Sequence, residues 1–176
     1  MFMIHRAAGW SALLLSLSAC SPAYNWRELR PYGTPLLALM PCKPETASRP
    51  VPLGATPTVL HMYSCEAGGL RFAVAWTDVG HAAQVEPAMA AWRAATLQTL
   101  RVMSNDDQHA WAVQVAGADT VQGLQVQGTD PSGRTVHARS VYFADNTQVF
   151  QAAVYGEQLP DEVMEAFFAG LRLVPR

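Results

Sequence analysis

Two glycines set between two strand-like runs constrain this chain most. Over 70–77, Leu70, Phe72, Val74 and Trp76 alternate with Arg71, Ala73, Ala75 and Thr77. A period of two is the mark of a β-strand. The preceding run, 58–65, contains Thr58, Val59 and Tyr63 and also reads as a strand. Between them Glu66-Ala67-Gly68-Gly69 is short and glycine-rich, so the two runs are expected to fold back as a hairpin. That hairpin begins an antiparallel sheet. Its second strand sends bulky side chains one way and small or polar ones the other. One face therefore takes the core, and the other is expected to be closely covered.

The rest of the chain fits around this sheet. The run 35–40 reads as a first strand that stops at Pro41-Cys42-Lys43-Pro44. The stretch 45–57 is rich in Pro, Ser and Thr and reads as loop, with a short extended piece at 51–53. A long helix is predicted over 86–103. Pro87 suits its first turn, and Met89, Trp92, Thr96, Leu100 and Met103 recur at steps of three and four. Short strands follow. Trp111, Val113 and Val115 alternate, as do Leu124 and Val126 with Gln125 and Gln127. Asp130-Pro131-Ser132-Gly133 is a turn. The runs 134–143 and 148–155 pair across Asp145-Asn146. A last helix is predicted over 160–169, with Val163, Ala166, Phe167, Gly170 and Leu171 as its apolar stripe. The fold class is α+β, a mainly antiparallel sheet flanked by a long helix and a short C-terminal helix.

The N-terminal end has a different character. Arg6 precedes an apolar or small stretch, 7–17, that is well short of the roughly 20 residues a spanning helix needs. Leu17-Ser18-Ala19-Cys20 closes it in the order of a lipobox. Here the chain resembles bacterial lipoprotein precursors. The resemblance implies a signal peptide over 1–19, cleavage before Cys20, and diacylglycerol joined to the Cys20 sulfur. Further acylation, with chains such as palmitate, would then fix a lipid-anchored tether, 20–34, to the membrane. Ser21, where Asp would retain such a protein in the inner membrane, implies the outer membrane, with a single domain over 35–176 facing the periplasm.

With Cys20 taken by lipid, Cys42 and Cys65 remain of the three cysteines. In an oxidising compartment they are expected to pair. Two free thiols, or a redox pair, are the alternatives. The lack of a Cys-x-x-Cys spacing counts against the second. The formal net charge is −2, which gives no basic footprint for nucleic acid.

A second resemblance rests on element order. The Pro-Cys-Lys-Pro element after the first strand, the hairpin into 70–76, the long helix, the Gly133-Arg134 turn and the closing Phe167-Phe168-Ala169-Gly170-Leu171 are similar to PsbP-like α/β/α sandwiches. That family includes bacterial periplasmic lipoproteins. The resemblance implies binding or assembly in place of catalysis, and brings no site residues with it.

Chemistry-bearing motifs are sparse. His61, His81, His109 and His137 do not stand at zinc-site spacing, and no Gly-x-Ser-x-Gly elbow occurs. Neither metal nor cofactor is expected. Gln125, Gln127, His137, Arg139 and Gln151 are expected to line one face of adjacent strands, a polar surface for a carbohydrate or a partner. The expected function is a non-enzymatic binding or assembly role with an envelope protein. The alternative is a small-ligand carrier with a pocket between the long helix and the sheet, lined by Trp76, Met89, Trp92 and Trp111.

Cys20→Ala tests the anchor. The variant should leave the membrane fraction or accumulate unprocessed. Unchanged fractionation with no acyl mass on the wild-type N-terminus would end the lipoprotein reading.

Overall fold

A computed structural model describes residues 23–53 and 57–174. Cys20 and the signal segment lie outside these residues. The chain is α+β. Its main sheet has seven antiparallel strands, and a three-stranded sheet lies beside it. In chain order the small sheet begins with β1 (Arg27–Leu29) and β2 (Leu36–Met40). The main sheet begins with β3 (Glu45–Val51), β4 (Thr58–Ala67) and β5 (Leu70–Asp78). After helix α1 (Val85–Thr99) come β6 (Gln108–Trp111), β7 (Thr120–Thr129), β8 (Thr135–Asp145) and β9 (Gln148–Gly156). Helix α2 (Asp161–Ala169) and β10 (Arg172–Leu173) close the chain. The main sheet runs β3-β4-β5-β9-β8-β7-β6, and the small one β1-β2-β10.

The alternation in β5 decides the layering. Leu70, Phe72, Val74 and Trp76 join Phe143, Phe150 and Val154 on one face of the main sheet. The small sheet and α2 cover that face with Leu36, Met40, Met164 and Phe167. The opposite face carries Leu60, Ala75, Leu124, Val126, Ala138 and Tyr142, and α1 packs on it through Ala88, Met89 and Trp92. Among the described residues no helix is long and apolar enough to cross a membrane.

Several sequence expectations shift. The folded unit begins before residue 35. Arg27–Leu29 pairs with β2, and the rings of Tyr24 and Trp26 meet Phe72 edge-on at 6.3 and 6.2 Å. The stretch 45–51 is a strand and not a loop. It is an exposed edge strand, where Ser and Thr face water and a proline such as Pro50 is tolerated. The long helix stops at Thr99. Arg101 takes a left-handed φ of 48°, and Arg101 and Val102 donate their N–H groups to the Gln98 and Leu97 carbonyls. That is a Schellman stop. With arginine where glycine is usual, nothing in the residue types marks it, and Met103 falls past the helix, 90% exposed.

Strand β6 likewise ends at Trp111, before Val113 and Val115. The chain leaves the sheet there so that Ala116 can accept the Leu173 N–H at 2.8 Å. Gly117 makes this approach possible. A Cβ at that position would stand 2.5 Å from the Leu173 carbonyl oxygen. The last hairpin turns on Asn146-Thr147, with Asp145 opposite Gln148 and Asn146 at a φ of 54°.

Cys42 and Cys65 form a disulfide with a Cα separation of 6.0 Å. It ties the segment leaving the small sheet to β4 of the main sheet. Closing a loop of 23 residues stabilises the fold by about 3 kcal/mol in the chain-entropy account. The double variant Cys42→Ala, Cys65→Ala should lose stability of that order in urea unfolding. A midpoint unchanged from wild type would contradict the account.

Candidate functional site: a groove between helix and sheet

Helix α1 packs on β8 and β9, toward one side of its sheet face. The small residues of β5 and α1 leave the space beside it open. The result is a groove of about 1790 Å³. Its floor is Leu60 and Met62 of β4, Ala75 of β5, Gln151 and Tyr155 of β9 and Val136 of β8. Its helical wall is Ala91, Trp92, Ala95 and Thr96, and the far wall is Val51, Pro52 and Leu53. The face of Ala73 and Ala75 was expected to be closely covered. Ala75 instead floors a groove, because alanines on both sheet and helix take up too little volume to fill it.

A buried polar knot sets the helix on the sheet. Tyr142 donates its hydroxyl to Thr96 Oγ1 at 2.8 Å, and Thr96 donates to the Trp92 carbonyl at 3.1 Å. Gln151 Nε2 donates to Thr96 Oγ1 at 3.2 Å and to Tyr142 Oη at 3.0 Å. Gln151 is 7% exposed and lines the groove. Its Oε1 accepts from none of the described residues, so it offers an acceptor to whatever lies against it. The edge of Trp92 meets Tyr142 at 6.3 Å between ring centres. Burial pushes the Tyr142 hydroxyl above the ordinary tyrosine range, against the opposing hydrogen bonds of Thr96 and Gln151. Burial, with neighbouring Tyr142 adding to it, pushes Tyr155 up as well.

The groove's ends carry charge. At the β7–β8 turn, Asp130 accepts from the Ser132 hydroxyl at 2.6 Å and from the Arg134 N–H at 3.0 Å, and pairs with the Arg134 guanidinium at 2.8 Å. The Ser132 hydroxyl, followed by the Arg134 N–H, holds this carboxyl well below the usual carboxylate range. Arg71 and Glu66 pair at 2.7 Å on the β4–β5 hairpin.

The polar row foreseen in the sequence is divided. Gln125 stands opposite Arg139, and Gln127 opposite His137, on the face that α2 covers. Arg139 is held there. It lies 5.4 Å over the Trp111 ring, donates to Gln125 Oε1 at 3.3 Å, and stands 3.7 Å from Asp161. Gln151 does not belong with them. It stands opposite Tyr142, which points to the α1 face, so it lies in the groove on the other side of the sheet. Single-strand alternation cannot relate one strand's faces to another's. The register across the Asn146-Thr147 turn is needed for that.

Of the residues proposed to line a pocket between helix and sheet, Trp92 alone lines the groove, and Trp76 lines a separate recess with Tyr32 and Val59. Met89 is fully buried beneath the helix. Trp76 lies on the opposite face, stacked with His61 at 5.2 Å and Tyr63 at 5.5 Å, and Trp111 meets Phe168 there at 5.0 Å. Among the described residues, no group of three or more His, Cys, Asp or Glu side chains is placed to hold a metal ion. Comparison with known protein families, curated proteins and solved structures finds no match to this chain.

The two tyrosines give a pH prediction. With folded pKa values above the unfolded one, the folded chain keeps protons that the unfolded chain releases, so stability falls as pH rises past about 10. In an absorbance titration of phenolate, Tyr142→Phe and Tyr155→Phe should each remove signal that appears only together with unfolding. Loss of signal in the ordinary tyrosine range would contradict this.

Proposed function

We propose that this chain is a non-enzymatic, lipid-anchored binding protein of the bacterial cell envelope that holds an elongated, mainly apolar ligand. The groove beside α1 carries the reading. It exceeds the roughly 300–1,000 Å³ of most small-molecule pockets, is open along its length, and combines apolar walls with one inward acceptor at Gln151. This geometry supports a carrier, with a ligand in the groove in place of an envelope protein docked elsewhere. Among the described residues the exposed large apolar side chains are Tyr32, Val59 and Met103, and Tyr32 and Val59 border a separate recess.

Location is proposed from the lipobox at Leu17-Ser18-Ala19-Cys20, with Ser21 favouring the outer membrane. The Cys42–Cys65 disulfide supports an oxidising, periplasmic side. The antiparallel sheet with a helix on each face is the α+β arrangement that a PsbP-like domain would have.

The test is release of ligand from full-length protein purified without denaturation. Organic extraction followed by mass spectrometry should give close to one molecule per chain. Ala95→Trp fills the groove from an exposed position on α1 and should lower that yield at least tenfold. Gln98→Trp, also exposed on α1 but outside the groove, should leave it unchanged. Equal yields from all three proteins would overturn the groove as the binding site.

A further inference from the structure

We propose that the ligand is a long acyl chain of a membrane phospholipid, entering the groove at the β4–β5 hairpin; this rests on the groove reading above. Two observations carry it.

The first is hydrogen bonding. The strands of the groove floor, β4, β5, β9 and β8, each have a bonded neighbour on both sides. Their backbone groups are therefore taken, as are those within α1. A peptide lying on that floor would find Gln151 and Tyr155 as its inward polar side chains, and the edge strand β3 at the far wall offers it little pairing, because Pro50 and Pro52 there carry no N–H. Most of its own N–H and C=O groups would be buried unpaired, which is costly. An acyl chain has no such groups. Its needs are met by Leu60, Met62, Ala75, Trp92 and Val136.

The second is where the chain outside the described residues ends. The hairpin glycines Gly68 and Gly69 line one end of the groove. Tyr24 docks on that hairpin. A Cβ at Gly68 would collide with the Tyr24 hydroxyl, and the ring stacks on Trp26 at 6.0 Å. Cys20 precedes Tyr24 by four residues. Even fully extended, that segment spans no more than roughly 14 Å. A lipid on Cys20 would therefore keep the hairpin end of the groove within that short reach of the membrane surface, where phospholipid acyl chains are the most abundant apolar ligands.

The experiment places the lipidated full-length protein in vesicles of phosphatidylethanolamine and phosphatidylglycerol. The vesicles contain a phosphatidylcholine bearing a diazirine at the end of one acyl chain. After illumination, crosslinked peptides are mapped by mass spectrometry. Adducts are expected on the strands β4 and β5 and on α1, reduced at least tenfold by Ala95→Trp and unchanged by Gln98→Trp. Adducts confined to residues 20–30, or equal in all three proteins, would overturn the proposal. So would a groove that excludes the probe because the lipid on Cys20 itself fills it. If extraction releases a peptide or other molecule without an acyl chain and no groove adduct forms, the lipid assignment fails and the groove reading stands. If nothing is released and nothing crosslinks, both fail.

Discussion

The hydrogen bond from Tyr142 to Thr96, reinforced by Gln151, fixes where the long helix sits, and the rest of the α1 face follows from that position. A buried hydroxyl or amide left without its partner costs about 1–3 kcal/mol, so these three groups strongly favour one placement of α1 over β8 and β9. An apolar helix face alone would slide to fill the space above β4 and β5. The polar knot holds it back. The alanines at 75, 91 and 95 then do nothing to close what remains.

The other face is built on a different logic. Phe72 gathers Tyr24, Trp26 and Phe167 around it by edge contacts, and Phe143 stacks on Phe150 at 5.1 Å. These rings, under the small sheet and α2, make a filled core. The disulfide crosses from the small sheet to the main one on the same side. Rigidity is concentrated there and open volume on the α1 side. A groove that keeps its shape needs such an arrangement, because interiors of ordinary density otherwise collapse onto small voids.

The sequence was legible where periodicity was strong. The alternation at 70–77 foretold β5 and its core face, and the Met89, Trp92, Thr96 and Leu100 spacing foretold the buried side of α1. The stop of that helix was not legible, since Arg101 occupies a position that glycine would have announced. β3 was hidden because an edge strand facing water has the composition of a loop. The placement of Gln151 was hidden for a third reason. Its face depends on the register between β8 and β9, a long-range property of a hairpin that neither strand carries alone. Short β1 and β10 have too few residues to show any period.

On our proposal the volume beside α1 is a binding site held open by the Tyr142–Thr96–Gln151 knot. A crystal structure of the protein extracted from membranes in its lipidated form tests this most directly. Continuous density is expected along Leu60, Met62, Ala75 and Trp92, with the three hydrogen bonds intact. A helix shifted onto β4 and β5, with the groove closed by its own side chains and the knot broken, would contradict it.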